Sequence, residues 1–339
     1  MLGSVDTTLA KGSSVSGWKK ITQMREFSIL MFLIGVIVVM SIVTPNFAKI
    51  DTLVNVLYNI STDGIIVIGM TAALICGGFD LSVGAILGFT CATTAQLFLK
   101  FHLNIWVAAL LSIAIAIGIG AANGFFITKL KLSSFITTLA MMGIVRGAIY
   151  VVTKGVTLSV KAADPTFLAI GKGKLFGVIP NLGIICIILV IVFDILMRRS
   201  KLFRKVYYSG SSEKAARMSG INTTKVTFGV FVFTAGLAGV CGVLSLMRFS
   251  MSAPTLGTGT EMLVISAAVI GGCSLNGGEG SVLGAILGVI LLTIVSSSMT
   301  LLHVSTFWQQ LVTSLILLIA VSVDSISEKA KAKKLMLGS

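Results

Sequence analysis

The sequence predicts an all-α, polytopic integral membrane protein of about ten transmembrane helices, and three observations carry that prediction. Of 339 residues, 55% are hydrophobic and 11% charged, with a mean hydropathy of +1.03, far beyond what the core of a soluble domain requires. Apolar runs recur at close to the ~20 residues that a helix needs to cross a bilayer core. Lysine and arginine gather in alternate segments between those runs, the pattern that retention of positive charge in the cytoplasm produces.

The runs lie at about 28–43, 53–76, 82–99, 105–127, 135–152, 182–197, 226–246, 262–272, 281–300 and 307–323. The first follows a long basic tail without a small-residue cleavage site after it, so it is expected to stay as a helix. It is short, as is the eighth, and each is read as a tilted, partial or broken helix. The second run carries Asp63 near its middle, followed by Gly64, and is expected to break there and line a water-filled path. Before the third comes GGFDLSVG (77–84), in which Asp80 stands where an N-cap carboxylate belongs. The fifth contains Arg146, which either pairs with a buried carboxylate or snorkels to an interface. The eighth is entered through SAPTLGTGTE (252–261), where Glu261 sets a negative charge at the start of a helix dipole.

This order divides the chain into a cytoplasmic amino-terminal tail (1–27), a transmembrane domain (28–324) containing a cytoplasmic loop (198–225), and a cytoplasmic carboxy-terminal tail (325–339). With both termini inside, the inside segments hold Lys11, Lys19, Lys20 and Arg25, then Lys129 and Lys131, then eight residues between Arg198 and Lys225, then Lys329, Lys331, Lys333 and Lys334. These are 18 of the 26 basic residues. The net charge of +14 is therefore a topology signal. Split among membrane flanks and not interleaved with aromatic residues, it does not read as a nucleic-acid footprint.

Several function classes drop out. Cys76, Cys91, Cys186, Cys241 and Cys273 lie in or beside apolar runs with no CxxC, and read as small buried side chains. His102 and His303 sit in short turns with no second ligand at metal spacing, so no metal site is expected. The glycine-rich GIGAANG (118–124) and GLAGVCG (236–242) lack a strand–turn–helix context, and in GKGKLFG (171–177) no Ser or Thr follows the lysine, so the chain itself has no nucleotide site. No nucleophile, base and orienting group occur together, which argues against an enzyme, and no cofactor is implied. GAILG recurs at 84–88 and 284–288, each after a Gly-Gly pair. Both pairs fall on one side of the membrane, so an inverted repeat would instead match GGFDLSVG with SAPTLGTGTE and Asp80 with Glu261.

One polar stretch stands apart. GSSEKAARMSGI (210–221) reads as a short helix: Ser211 or Ser212 caps it, Glu213 supplies early negative charge, Ala215, Ala216 and Met218 form a small flat apolar face, and Gly220 ends it. A short helix lying across the cytoplasmic surface suits a partner's groove.

GGFDLSVG (77–84), NGFFITKLKLSSFITTLAMMGIVRG (123–147), SSEKAARMSGI (211–221), SAPTLGTGTE (252–261) and GGCSLNGGEGSVLGAILG (271–288) followed by VSTFWQQLV (304–312) occur in that order. Together, across about residues 45 to 324, they resemble the membrane permeases of ATP-binding-cassette importers for monosaccharides, the ribose, xylose and galactose type. The resemblance implies a fold similar to the cobalamin importer's permease, with a second permease subunit, most simply an identical one, flanking a central path in the bacterial inner membrane. It implies an extracytoplasmic sugar-binding protein outside and two cassette ATPases inside. The ATPases would grip 211–221 as the coupling helix, with Glu213, Ala215, Ala216, Arg217 and Gly220 on the family motif and Met218 beside them.

Transport would proceed by ATP-driven alternating access. Neutral sugars need hydrogen-bonding groups, so Asn59, Ser61, Thr62, Asp63, Ser82, Asn123 and Thr137 are path candidates, joined by the costly membrane-depth charges Asp80, Arg146 and Glu261. The chain departs from the family pattern at Ser133 and Ser134, where prolines are common, at Ala140, where glycine is, and at Ser297, Ser298 and Met299, where Asn-Gly-Leu is. The sugar does not follow from these residues. A nucleoside, an autoinducer sugar or a branched-chain amino acid remains open as cargo, as does an ion-coupled secondary transporter built on Asp63, Asp80 or Arg146.

Overall fold

Each of the ten apolar runs folds as a helix in the computed structural model, which describes residues 25–44 and 47–337. The amino-terminal tail, with Lys11, Lys19 and Lys20, lies outside the described residues as far as residue 24, as do residues 338–339. In chain order the helices are α1 (Arg25–Val43), α2 (Ile50–Ile75), α3 (Val83–Phe101), α4 (Ile105–Thr128), α5 (Ser134–Thr153), α6 (Pro165–Lys172), α7 (Asn181–Arg199), α8 (Lys201–Ser211), α9 (Glu213–Met218), α10 (Thr223–Phe249), α11 (Thr260–Ile270), α12 (Val282–Leu301) and α13 (Thr306–Leu337). The carboxy-terminal tail expected from residue 325 continues α13 as far as Leu337.

Short polar residues set several helix starts by accepting an otherwise orphaned backbone N–H. Asn104 accepts from Trp106 N at 2.9 Å to open α4, Asn222 from Lys225 N at 3.0 Å to open α10, and Ser281 from Gly284 N at 3.0 Å to open α12. Seven helices, α2, α3, α4, α5, α7, α10 and α12, are long and apolar enough to cross a membrane. The other three runs yield shorter apolar helices at 29–43 within α1, in α11, and at 307–322 within α13. The expected ten crossings thus become seven of full length among the described residues. Length is the reason: the 11 residues of α11 rise only ~16 Å, against a hydrocarbon core of ~30 Å.

α10 forms the core, packing on α2, α3, α4 and α6. It lies close to α2 at Gly69, where an added Cβ would come within 2.9 Å of Thr234 Cα, and Thr234 Oγ1 donates to the Gly69 carbonyl at 3.0 Å. Close approach through a small residue is how helices pack where the solvent is itself apolar. Leu110 on α4 and Ile144 and Val151 on α5 stay exposed, as suits faces turned to acyl chains. The five cysteines are free thiols, four of them buried.

One end of α10 is tied down by two small elements. β1 (Leu158–Ser159) pairs antiparallel with β4 (Met251–Ser252), Leu158 opposite Ser252, and α6 lies against the Met247–Arg248 backbone at Gly171. Phe167 of α6 meets Trp106 edge-on at 5.2 Å between ring centroids. A second hairpin joins β2 (Lys174–Leu175) to β3 (Ile179–Pro180).

Two irregular segments interrupt the helices: 77–82, between α2 and α3, and 250–259, between α10 and α11, the second of which packs on the start of α3. A side chain at Gly84 would run into both the Glu261 carboxylate and the Gly257 carbonyl, and Gly257 and Gly259 hold φ of +76° and +85°. Non-helical backbone at membrane depth is tolerated where protein buries it or a cavity solvates it. α2 itself runs unbroken through Asp63 and Gly64 to Ile75, so the break expected at that pair falls instead at its end.

Candidate functional site

A cavity of about 300 Å³ opens between α2, α10, α12 and the 250–259 segment. α2 contributes Asn59, Thr62 and Asp63, one helical turn apart along one face. From α10 come Ser245 and Arg248, from α11 Thr260, from α12 Thr293, Ser296 and Thr300, and from α13 Gln309.

Arg248 is the best-held of these. Its Nη2 donates to Asn59 Oδ1 at 3.1 Å, and its guanidinium lies 4.7 Å from the ring centroids of both Tyr58 and Phe249. Tyr58 is anchored in turn, its hydroxyl donating to the Lys172 carbonyl at 3.2 Å. A planar guanidinium placed against aromatic faces loses little freedom when it makes further hydrogen bonds. Asp63 opens onto the same cavity, within electrostatic reach of Arg248. One carboxylate, one guanidinium, two carboxamides and a row of hydroxyls, set beside Leu87, Phe249, Leu256 and Leu263, form a surface that offers hydrogen bonds to a polar solute.

Of the residues expected to line a path, only Asn59, Thr62 and Asp63 reach this cavity. Ser61 is buried and donates back to the Leu57 carbonyl within its own helix. Asp80, Ser82 and Asn123 instead form a separate, fully buried cluster. Asn123 Nδ2 donates to Ser82 Oγ at 3.0 Å, and the backbone N–H and hydroxyl of Ser82 both donate to Asp80 Oδ1. Asp80 is therefore not the N-cap of α3. That position is Ser82's, and the Asp80 carboxylate spans just two residues to the Ser82 N–H, closing the turn before the helix. Thr137 is buried nearby in sequence to Thr138, whose hydroxyl accepts from Leu81 N at 3.1 Å.

Arg146 donates from Nη1 to the Leu256 carbonyl at 2.8 Å and lies within electrostatic reach of the buried Glu261 carboxylate. Glu261 stands in the first turn of α11 and accepts from Gly259 N at 3.2 Å. These two charges hold the 250–259 segment in place. Arg248, Ser245, Thr293, Ser296, Thr300 and Gln309 escaped the sequence reading. The signal for them was the triple serine 296–298 inside an apolar run and a lone arginine at the end of another.

A second feature stands at the opposite end of α2. α8 leads into α9, which Ser212 caps by accepting from Ala215 N at 3.3 Å. Its other end closes with Ile221 N donating to Ala216 O and Gly220 N to Arg217 O, both at 3.0 Å, with Gly220 at φ +78°. This paired arrangement satisfies the last carbonyls of a helix and needs a residue tolerant of the left-handed region. Glu213 and Arg217 form an ion pair one turn apart, and Arg217 Nε also donates to Thr223 Oγ1 at 3.0 Å.

The flat apolar face expected from Ala215, Ala216 and Met218 splits in two. Ala216 is buried against the body, whereas Ala215 and Met218 face outward, Met218 being 83% exposed. Successive helical residues diverge by about 100°, so neighbours 215 and 216 cannot share one face. α8 joins the transmembrane body through glycines: Gly278 N donates to the Ile75 carbonyl at 2.8 Å, Tyr207 Oη donates to the Gly280 carbonyl at 3.0 Å, and Gly210 packs on Ile75 and Gly278. Among the described residues there is no cluster of His, Cys, Asp or Glu suited to a metal ion.

A bundle of membrane-crossing helices around a polar cavity, with a capped helical hairpin at one end, defines a membrane permease. Residues 52–321 match the family described as branched-chain amino acid transport system / permease component, and the chain belongs to that family. It is 34% identical over 316 residues to the ribose import permease protein of Escherichia coli K12, covering 92% of this chain and 98% of that one. The ribose import permease protein of Bacillus subtilis 168 is 33% identical, over 89% of this chain and 93% of its own. The L-arabinose transport system permease protein of E. coli K12 is 32% identical, over 90% and 92%. No solved structure gives a significant match.

Proposed function

We propose that this chain is the permease subunit of an ATP-binding-cassette importer in the bacterial inner membrane, carrying a monosaccharide of the ribose type. The observation that carries the cargo reading is the cavity chemistry. Asn59, Arg248, Gln309 and the hydroxyls of α10 and α12 supply directed donors and acceptors around about 300 Å³, the size and polarity of a small sugar; similarity to ribose and L-arabinose permeases supports the same class. The family description favours a second reading, a branched-chain amino acid, whose aliphatic side chain would meet Leu87, Phe249, Leu256 and Leu263 in the same lining.

Both termini then lie in the cytoplasm, as does the α8–α9 hairpin with its basic residues. Two cassette ATPases take hold of α9 by its outward face, around Ala215 and Met218, while an extracytoplasmic binding protein delivers sugar to the other side. ATP binding draws the handles together, and the glycine junction at Ile75, Gly210 and Gly278 passes the motion to α2 and its cavity residues. A second, identical subunit completes the path.

Co-purification with the cassette ATPase tests the handle. The native chain is expected to retain the ATPase, and Ala215→Arg and Met218→Glu, which change only exposed positions, to lose it. Retention by both variants overturns the handle reading and moves the chain toward a secondary transporter. Cargo is tested by binding of ribose against leucine to the partner binding protein.

A further inference from the structure

A second cavity, of about 370 Å³, lies outside the translocation site, in the groove between α8 and the first turns of α10. Its walls are apolar: Phe203 and Val206 from α8, and Val226, Val230 and Phe233 from α10. Its floor is Gly229, where an added Cβ would meet nothing within 4 Å. The groove therefore has open space over Gly229, within about 370 Å³, for an acyl chain.

Two lysines, Lys205 and Lys225, join the lining with Leu202 and Asn222. A neighbouring cavity between the end of α4 and the start of α10 shares Asn222 and Lys225 and adds Lys129. No aspartate or glutamate lines either cavity. Two cations thus line the apolar slot and a third lines the adjoining cavity, at the ends of α4 and α10, two helices long and apolar enough to cross the membrane.

We propose that this slot is a binding site for an anionic phospholipid, one acyl chain lying over Gly229 between Phe203 and Phe233 and the phosphate meeting Lys205 and Lys225. The chemistry discriminates against a peptide segment as occupant. A peptide would bring backbone donors and acceptors needing partners, and the Asn222 carbonyl oxygen is already engaged in capping α10. An acyl chain needs none, and its headgroup supplies the negative charge that three lysines lack. Basic clusters at the ends of membrane helices attract anionic headgroups for the same reason. The bound lipid would wedge α8 against α10 and so set the position of α9, whatever cargo the permease carries.

The test uses the intact chain in vesicles of phosphatidylglycerol or phosphatidylcholine, extracted in neutral detergent. Bound lipid is read by native mass spectrometry and thermal stability during titration of each lipid. The native chain is expected to retain phosphatidylglycerol in preference to phosphatidylcholine and to be stabilised by it. The double variant Lys205→Ala/Lys225→Ala is expected to bind it roughly thirtyfold more weakly. Gly229→Leu, which fills the slot without removing charge, should lose the lipid while folding normally. If both variants carry the native complement of phosphatidylglycerol, the site does not exist. If inorganic phosphate stabilises the native chain as well as the lipid does, the acyl slot plays no part. If the variants keep their lipid and lose the cassette ATPase instead, the groove belongs to that partner and the proposal falls.

Discussion

Replacing Gly278 by alanine tests how the α8–α9 hairpin is fastened to the membrane-crossing body. Gly278 holds φ +78°, and its N–H donates to the Ile75 carbonyl at 2.8 Å, so its backbone has no freedom to relax. An alanine in the left-handed region costs about 1–2 kcal/mol. The new Cβ would also lie 2.8 Å from Ser211 Cα and closer still to the Ser211 hydroxyl, an overpacking of about 1–3 kcal/mol. The sum is about 2–5 kcal/mol, enough to lower the melting temperature of the detergent-solubilised chain measurably, as read by intrinsic tryptophan fluorescence. Gly229→Ala is the internal control. It lies within α10 with open space around it, so alanine there should stabilise by about 0.5–1 kcal/mol through helix propensity. If Gly278→Ala melts with or above the native chain, the junction is not the close-packed joint described, and motion of the handle must reach α2 by another route.

Other predictions follow the same logic. Arg248→Lys should abolish most transport in reconstituted vesicles while leaving expression intact, because an ammonium cannot reproduce a planar group held between Tyr58 and Phe249; transport at the native rate would remove Arg248 from the path. Ala216→Arg should destabilise the hairpin itself, since it buries an unpaired charge, whereas Ala215→Arg should leave the melting temperature unchanged. Asp164 accepts from both the N–H and the hydroxyl of Thr166, which holds its carboxyl below the usual carboxylate range. Its capping of α6 is therefore fully present at neutral pH and lost as the pH falls through that lowered value. Hydrogen exchange of the first α6 amides should quicken only in acid, and in Asp164→Ala should be fast at every pH.

The membrane helices were legible because the bilayer demands ~20 apolar residues per crossing, and every such run became a helix, the last of them continuing past its apolar run to Leu337. α9 was legible because its capping serine, early glutamate and terminal glycine act within one or two turns. Asp63 stood out because an ionisable group at membrane depth is costly, and Asn59 because a neutral sugar needs hydrogen-bonding groups.

The same two grounds made Asp80, Ser82 and Asn123 look like path residues, yet they bond to one another: residues 41 apart in sequence meet at 3.0 Å. Arg248 had no local signal beyond its place at the end of an apolar run until α2 brought Asn59 to it from 189 residues away. The sequence by itself determined which segments enter the membrane and which polar groups go with them, since hydrophobicity and local capping depend only on near neighbours. Whether each polar group is answered by protein or left facing a cavity was decided by the tertiary structure, because that depends on which helices meet, and such contacts join residues that no local pattern links.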